Sequence, residues 1–204
     1  MKNIKLNLIC LYFKIKPGIK NSIGNDNYLI VFKKFKKQYI EIDSRTPKEK
    51  GIMIFHRMFL IIGLALYNSL RDEFESQEET IEKMHDILWQ GHMIKMIRLS
   101  AFFIRRSGDP FQRFLQYLGP KNEWFIKCPP WQKVEVELIN GVGWHQKKCP
   151  YFDFFKKEGV VELTTAYCDM DKRIAALVPV HIELKRQHTL PKGDDWCDFL
   201  YYMK

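Results

Sequence analysis

The stretch HIELKRQHTLPKGDDWCDFLYYM (His181–Met203) decides the fold. Ile182, Leu184, Arg186, His188 and Leu190 fall on alternate positions, as the residues of one strand face do. Cys197, Phe199 and Tyr201 repeat the pattern within DWCDFLYYM. PKGDD between the two runs is turn chemistry, so the spacing predicts two antiparallel strands, 181–190 and 195–203, joined as a hairpin. Closing that hairpin brings His188 within a few residues of cross-strand register with Cys197.

Further upstream, KVEVEL (Lys133–Leu138) alternates with Val134, Val136 and Leu138 on one side, and NGVGWH reads as a turn between strands. CPYFDFFKKEG reads as a helix with Cys149 as N-cap, Pro150 at its first position and Gly159 as its stop. Before Pro120 the period becomes helical. Apolar positions fit helices from Gly51 to about Glu75, Thr80 to Leu88 and His92 to Arg105, and a short one from Pro110 that Gly119 ends. The pattern is α+β: a helical N-terminal half, then an antiparallel sheet with short helices. We expect one catalytic domain over 51–204, with helices in 51–119 and the sheet in 120–204, preceded by a basic segment, 1–50. Within that segment NYLIVFKKF looks strand-like and GIKNSIGNDN looks like a loop.

The chain has 204 residues and a formal charge of +9, and the charge is local. Residues 1–50 hold twelve Lys or Arg against four Asp or Glu; the rest holds 21 against 20. Basicity therefore says little about downstream chemistry. VFKKFKKQYI (Val31–Ile40) has the charge to attract nucleic acid or anionic lipid, but it is read as a solvated face, because no recognition motif accompanies it. Neither nucleic acid nor membrane is expected as a partner. MFLIIGLALY (Met58–Tyr67) is short for a bilayer span and reads as a buried core helix. The start, MKNIKLNLICLYFKIKPG, has no small-residue cleavage site, so no signal peptide is expected. The five cysteines are then reduced thiols in the cytoplasm.

Chemistry-bearing residues concentrate in the last 56 positions. Cys149 stands at a predicted N-cap and Cys168 in the first turn of a helix running through Ala175, where helix N-termini stabilise thiolate. Cys197 and His188 should point inward from paired strands, with Asp169, Asp171 and Asp198 flanking. A thiolate attacking an electrophilic carbon, with an imidazole moving protons and a carboxylate orienting it, is a coherent use of this set. Each thiol taken alone reads more readily as a small core residue than as a catalytic one. Cys149, Cys168, Cys197 and His188 would also fill a tetrahedral zinc shell, although their spacing matches no compact zinc motif, so no cofactor is expected and zinc is the alternative. There is no P-loop, G-x-G-x-x-G, G-x-S-x-G or H-E-x-x-H.

The ordered set KKCPYFDFFKKEG, AYCDMD, KRQHTL and GDDWCDF resembles the L-2-amino-thiazoline-4-carboxylic acid hydrolase family, most specifically across Lys147–Phe199. The helical GDPFQRFLQYL fits more loosely, and residues 1–50 are not covered. The resemblance implies an α+β hydrolase of a small cyclic amidine, acting on a C–N bond other than a peptide. In the named activity, 2-amino-thiazoline-4-carboxylate becomes N-carbamoyl-cysteine. The family's motif positions fall on Cys149, Cys168, Asp171, His188, Gly193, Asp194, Cys197 and Asp198.

The reading is thus a cytoplasmic hydrolase of a small molecule. Cys168 is the expected nucleophile, Cys149 the second choice, His188 the acid/base and Asp171 the orienting group. Arg186 is expected to pair with a substrate carboxylate, beside Gly193, Asp194 and Asp198. The alternatives are a non-hydrolytic biosynthetic enzyme of the same fold and a sensory domain that binds a small molecule or zinc. A homo-oligomer is compatible with either.

Overall fold

The computed structural model describes residues 7, 9–10, 13–51, 53–90, 92–117, 131–177 and 182–203. Among them are eight helices, mostly in the N-terminal half, and one four-stranded antiparallel sheet. The fold is therefore α+β, as the periodicities require. The chain divides into two compact units, Met1–Met96 and Ile97–Lys204. Half of the opening run MKNIKLNLICLYFKIKPG, as well as Gly119 and His181, lies outside the described residues.

The first unit contains α1 (Ile15–Ile23), α2 (Tyr28–Arg45), α3 (Met53–Leu70), α4 (Gln77–Trp89) and the start of α5 (His92–Arg105). The strand-like reading of NYLIVFKKF is corrected to helix; of GIKNSIGNDN, residues 18–23 are helix and the loop reading holds for 24–27. In α2 the buried side chains are Val31, Phe35, Tyr39 and Ile42, spaced by four, four and three, and this period outweighs the short alternation of VFKKFKK. α3 is long and apolar enough to cross a bilayer by length and composition, yet most of it is buried within the protein. Its Ile61, Ile62, Leu64, Leu66 and Leu70 are almost wholly buried, each adding roughly 1.5–3 kcal/mol of transfer free energy. Ser76 caps α4 by accepting the Glu79 amide at 3.0 Å.

Arg57 locks the α2–α3 connection. Its guanidinium donates to the Asp43 carboxylate (2.5 Å), the Asp43 carbonyl (2.7 Å), the Thr46 carbonyl (2.9 Å) and the Pro47 carbonyl (2.6 Å). With its side chain 8% exposed, the cation needs these acceptors.

The second unit holds the rest of α5, α6 (Pro110–Tyr117), β1 (Gln132–Val136), β2 (Gly141–Lys148), α7 (Pro150–Lys157), α8 (Leu163–Leu177), β3 (Ile182–Lys185) and β4 (Cys197–Met203). Strand order is β1-β2-β4-β3, every pair antiparallel. NGVGWH is not a turn as a whole; β2 begins at Gly141 and runs against Tyr202. A Cβ at Gly141 would collide with the Tyr201 carbonyl, so glycine permits this strand approach. Trp144, Phe199 and Tyr201 face the core with Phe114, Leu115, Ile104 and Ala175, and the Trp144 and Phe199 rings stack at 4.8 Å. β1 is an edge strand with Val134 half-exposed, so its alternation does not mark a buried face.

Replacing Arg57 by Ala should strand Asp43 and three carbonyls and cost about 3 kcal/mol in urea unfolding. Lys34→Ala, which breaks an exposed ion pair with Asp72, should cost under about 1 kcal/mol in the same experiment. Equal losses would contradict the difference in burial.

Candidate functional site

Cys197 and Asp198 are successive residues of β4 and so point to opposite faces of the sheet. Each gathers a different set of groups.

On the core-facing side stand the thiols. Cys197 is 4% exposed; its sulfur takes the Leu190 amide at 3.2 Å and the S–H of Cys168. The Cys168 hydrogen bond lowers the Cys197 thiol most; burial opposes it, and the Leu190 amide and Arg186 cation add to it, leaving the thiol at about 7. Cys168 is held well above its ordinary value, by donating to Cys197 and by burial. The pair therefore favours negative charge on Cys197 over Cys168. Cys149 is near enough for the Cys197 charge to act on it, but burial pushes it up to about 12 against the pull of the Phe152 and Tyr151 amides. It is the N-cap of α7, with Pro150 following and Gly159 at a φ of 73° beyond, as the sequence suggested. Desolvation at this partly buried cap exceeds the benefit of the helix terminus.

The expectation that Cys168 lies in a first helical turn is corrected. α8 starts at Leu163, because tight turns tie Leu163, Thr164 and Thr165 to Val160, Val161 and Glu162. Cys168 is one turn further in, where the helix-terminus field has faded. Its chemistry comes from Cys197 instead.

Arg186 joins these groups. Nη2 donates to Asp171 Oδ2 (3.0 Å), Nη1 to the Cys168 carbonyl (2.9 Å) and Nε to the Asp198 carbonyl (3.0 Å), while the guanidinium lies 4.0 Å from the Phe199 ring centre. Only 1% of its side chain is exposed. It is therefore committed internally, and the sequence expectation of a substrate-carboxylate partner finds it already bound to Asp171. Burial raises the Asp171 carboxyl, and Arg186 opposes that rise.

On the other side stands the imidazole. Asp198 Oδ2 accepts from the amides of Gln187 (3.2 Å) and His188 (3.0 Å) and lies 2.9 Å from His188 Nδ1. Oδ1 accepts the Trp196 indole N–H (2.9 Å) and lies 3.4 Å from His145 Nε2. The carboxyl is buried, which alone would raise it, but the hydrogen bonds from His188, Trp196 and Gln187 hold it below its usual range. Trp196 stacks on His145 at 4.9 Å and tilts against His188 at 5.5 Å.

The structure thus brings Cys149, Cys168, Cys197, Asp171 and Arg186 together and places His188 with Asp198. The separation has a local cause. β3 ends at Lys185, paired with Leu200, and extending that register would set His188 opposite Cys197. The chain instead slips: the Asp198 amide bonds to the His188 carbonyl, so His188 lies beside Asp198 and shares its face. The expected strand over 181–190 is shortened accordingly, and Leu190–Lys192 forms a 3₁₀ turn. Gly193 and Asp194 build this turn. Gly193 closes it with a φ of 92°, and the Asp194 carboxylate accepts the Thr189 amide at 2.6 Å. Sequence reasoning passed over His145 and Trp196; the signal was positional, since His145 pairs directly with Asp198 across β2 and β4.

Among the described residues no group of three or more His, Cys, Asp or Glu is arranged to hold a metal ion. The four residues considered for zinc are not a cage, because His188 faces Asp198.

The elements that carry this arrangement fall within a family match. A family model for L-2-amino-thiazoline-4-carboxylic acid hydrolase covers residues 51–201, about three quarters of the chain. The chain belongs to that family. No curated protein matches it. The family name denotes a hydrolase, and both the thiol cluster and the imidazole–carboxylate pair lie in the matched region. The basic segment before residue 51 lies outside it.

Two measurements check the electrostatics of this hydrolase-family site. Cys197 should alkylate with a midpoint near pH 7, and Cys168→Ala should move that midpoint upward by removing the S–H donor. An unmoved midpoint would mean that the two sulfurs do not share a proton. Asp198→Asn should cost about 3 kcal/mol near pH 5, since buried donors lose a charged acceptor. A depressed folded-state carboxyl stabilises above the unfolded value of about 3.9 and stops doing so as pH falls through its folded value. The difference between wild type and variant should therefore shrink toward pH 3, as followed by urea unfolding.

Proposed function

We propose that this protein hydrolyses a small cyclic amidine, of the 2-amino-thiazoline-4-carboxylate type, through a cysteine thiolate, with Cys197 as the sulfur that attacks. What supports this reading is the geometry around Cys197: its sulfur takes the Leu190 amide and meets Cys168 beside the buried Arg186 cation, a setting that favours thiolate there. The family's name supplies the substrate class.

The chemistry follows from the groups present. The amidine carbon, bonded to two nitrogens and a ring sulfur, is electrophilic when protonated. Attack by Cys197 gives a tetrahedral adduct. Asp171, whose Oδ2 is held by Arg186, offers its other oxygen to an amidine N–H. Thr164 stands one helical turn before Cys168 with its Oγ1 buried and unpartnered among the described residues, and a substrate heteroatom or water would satisfy it.

Atom balance then selects the bond. N-carbamoyl-cysteine keeps both nitrogens on the carbon, so the ring C–S bond breaks and the substrate sulfur leaves as a thiol. This amends the C–N expectation for that substrate. Water adds to the remaining S-linked amidinium, and Cys197 departs as thiolate, leaving the carbamoyl group. His188, on the other sheet face, takes no part in these steps. Cys168, first expected as nucleophile, serves as hydrogen-bond donor. A thiol–thiolate pair needs a reducing compartment, which supports the cytoplasm.

With 2-amino-thiazoline-4-carboxylate as substrate and proton NMR as readout, wild type should release N-carbamoyl-cysteine. Cys197→Ser should lower kcat/KM by roughly a thousandfold or more. Cys168→Ser should lower it less and shift the pH profile, and Cys149→Ser should change it only a few-fold. If Cys197→Ser stays active while Cys168→Ser is inert, the nucleophile is Cys168. No turnover by wild type would remove the substrate class.

A further inference from the structure

α2 is amphipathic in a way its lysine-rich sequence conceals. Val31, Phe35, Tyr39 and Ile42 are buried, so the opposite face carries Leu29, Ile30, Lys33, Lys37 and Ile40 at helical spacing. Leu29 is 54% exposed, Ile30 69% and Ile40 44%, which is unusual for three large aliphatic groups on one short solvent face. Lys36 flanks the stripe and reaches over the Phe32 ring at 5.1 Å. At its N-terminal end Lys16 and Lys20 from α1 approach the Tyr28 ring at 5.9 and 5.4 Å. Lys34, turned to the flank, is the lysine of this helix that pairs with a carboxylate, Asp72 at 2.6 Å. Glu41 is the acidic group on the outer face, beside Ile40.

The result is a row of exposed aliphatic side chains bordered by cations, on a segment outside the family match and in the part of the chain that holds nearly all of its net charge. Aliphatic groups projecting between lysines suit a medium that is anionic at its surface and apolar just beneath. Nucleic acid supplies the first property and not the second. A small acidic substrate needs neither Leu29 nor Ile30.

We propose that the outer face of α2 is a peripheral docking surface for an anionic phospholipid bilayer, with Leu29, Ile30 and Ile40 entering the headgroup–acyl boundary and Lys33, Lys36 and Lys37 meeting the lipid charge. α2 lies in the interface plane and does not span the membrane.

Vesicle co-sedimentation of the full chain tests this. It should bind vesicles of phosphatidylcholine with about one third phosphatidylserine, and not vesicles of phosphatidylcholine alone, with binding falling steeply as salt rises. Lys33→Gln with Lys37→Gln should weaken partitioning by roughly fivefold per lysine. Leu29→Ser with Ile30→Ser should weaken it as well, and both pairs are exposed enough to leave the circular dichroism and melting temperature unchanged. Absence of binding to the anionic vesicles overturns the proposal. So does binding that the Leu29/Ile30 pair does not affect, or tighter binding to a single-stranded oligonucleotide that depends on the lysines alone.

Discussion

The buried guanidinium of Arg186 is the constraint on which the second unit depends. It leaves the chain just after β3, crosses to the carbonyl of Asp198 in β4, and reaches Asp171 and the Cys168 carbonyl in α8. A cation with 1% of its side chain exposed is tolerable only if each of these acceptors is in place. Helix and sheet are therefore held at one spacing, and that spacing lets the Cys168 S–H meet the Cys197 sulfur. The same charge favours thiolate on Cys197. Structural and electrostatic roles reside in one residue, so they are inseparable in this site.

β4 divides the chemistry by its pleat. Cys197 turns toward the helices, where a thiolate finds donors and a cation; Asp198 turns the other way and is covered by Trp196, His145 and His188. A carboxylate that accepts four hydrogen-bond partners is a strong organiser of the backbone around it. The amides of Gln187 and His188 are among those partners, and they hold the chain in the slipped course that separates imidazole from sulfur. The slip is thus stabilised by the very residue it places beside His188.

Arg57 plays a related part in the first unit, fastening the end of α2 to the start of α3 through four acceptors. With the inner face of α2 fixed by Val31, Phe35, Tyr39 and Ile42, the positions that remain outside follow from helix geometry. Three of them are aliphatic. The charge of this region thus acquires a direction that composition alone does not give it.

Much of this was legible in the sequence. Helical periods from Gly51 to Tyr117, the Cys149-Pro150 helix start, the alternation of Cys197, Phe199 and Tyr201, and the family motifs over Lys147–Phe199 depend on local spacing, and local spacing survives folding. VFKKFKK carries both a two-residue and a four-residue period, so only packing of Phe35 and Tyr39 could settle it as helix. The start of α8 rests on backbone turns at Val160–Glu162 that no side-chain pattern announces. The slip after Lys185 is the clearest case: one residue of register decides which face His188 joins, and its energy lies in bonds to Asp198, ten residues away in the chain. Sequence by itself determined which residues can ionise and which elements carry them. Tertiary structure alone decided which of them meet, because pairing across strands is set by contacts that have no counterpart along the chain.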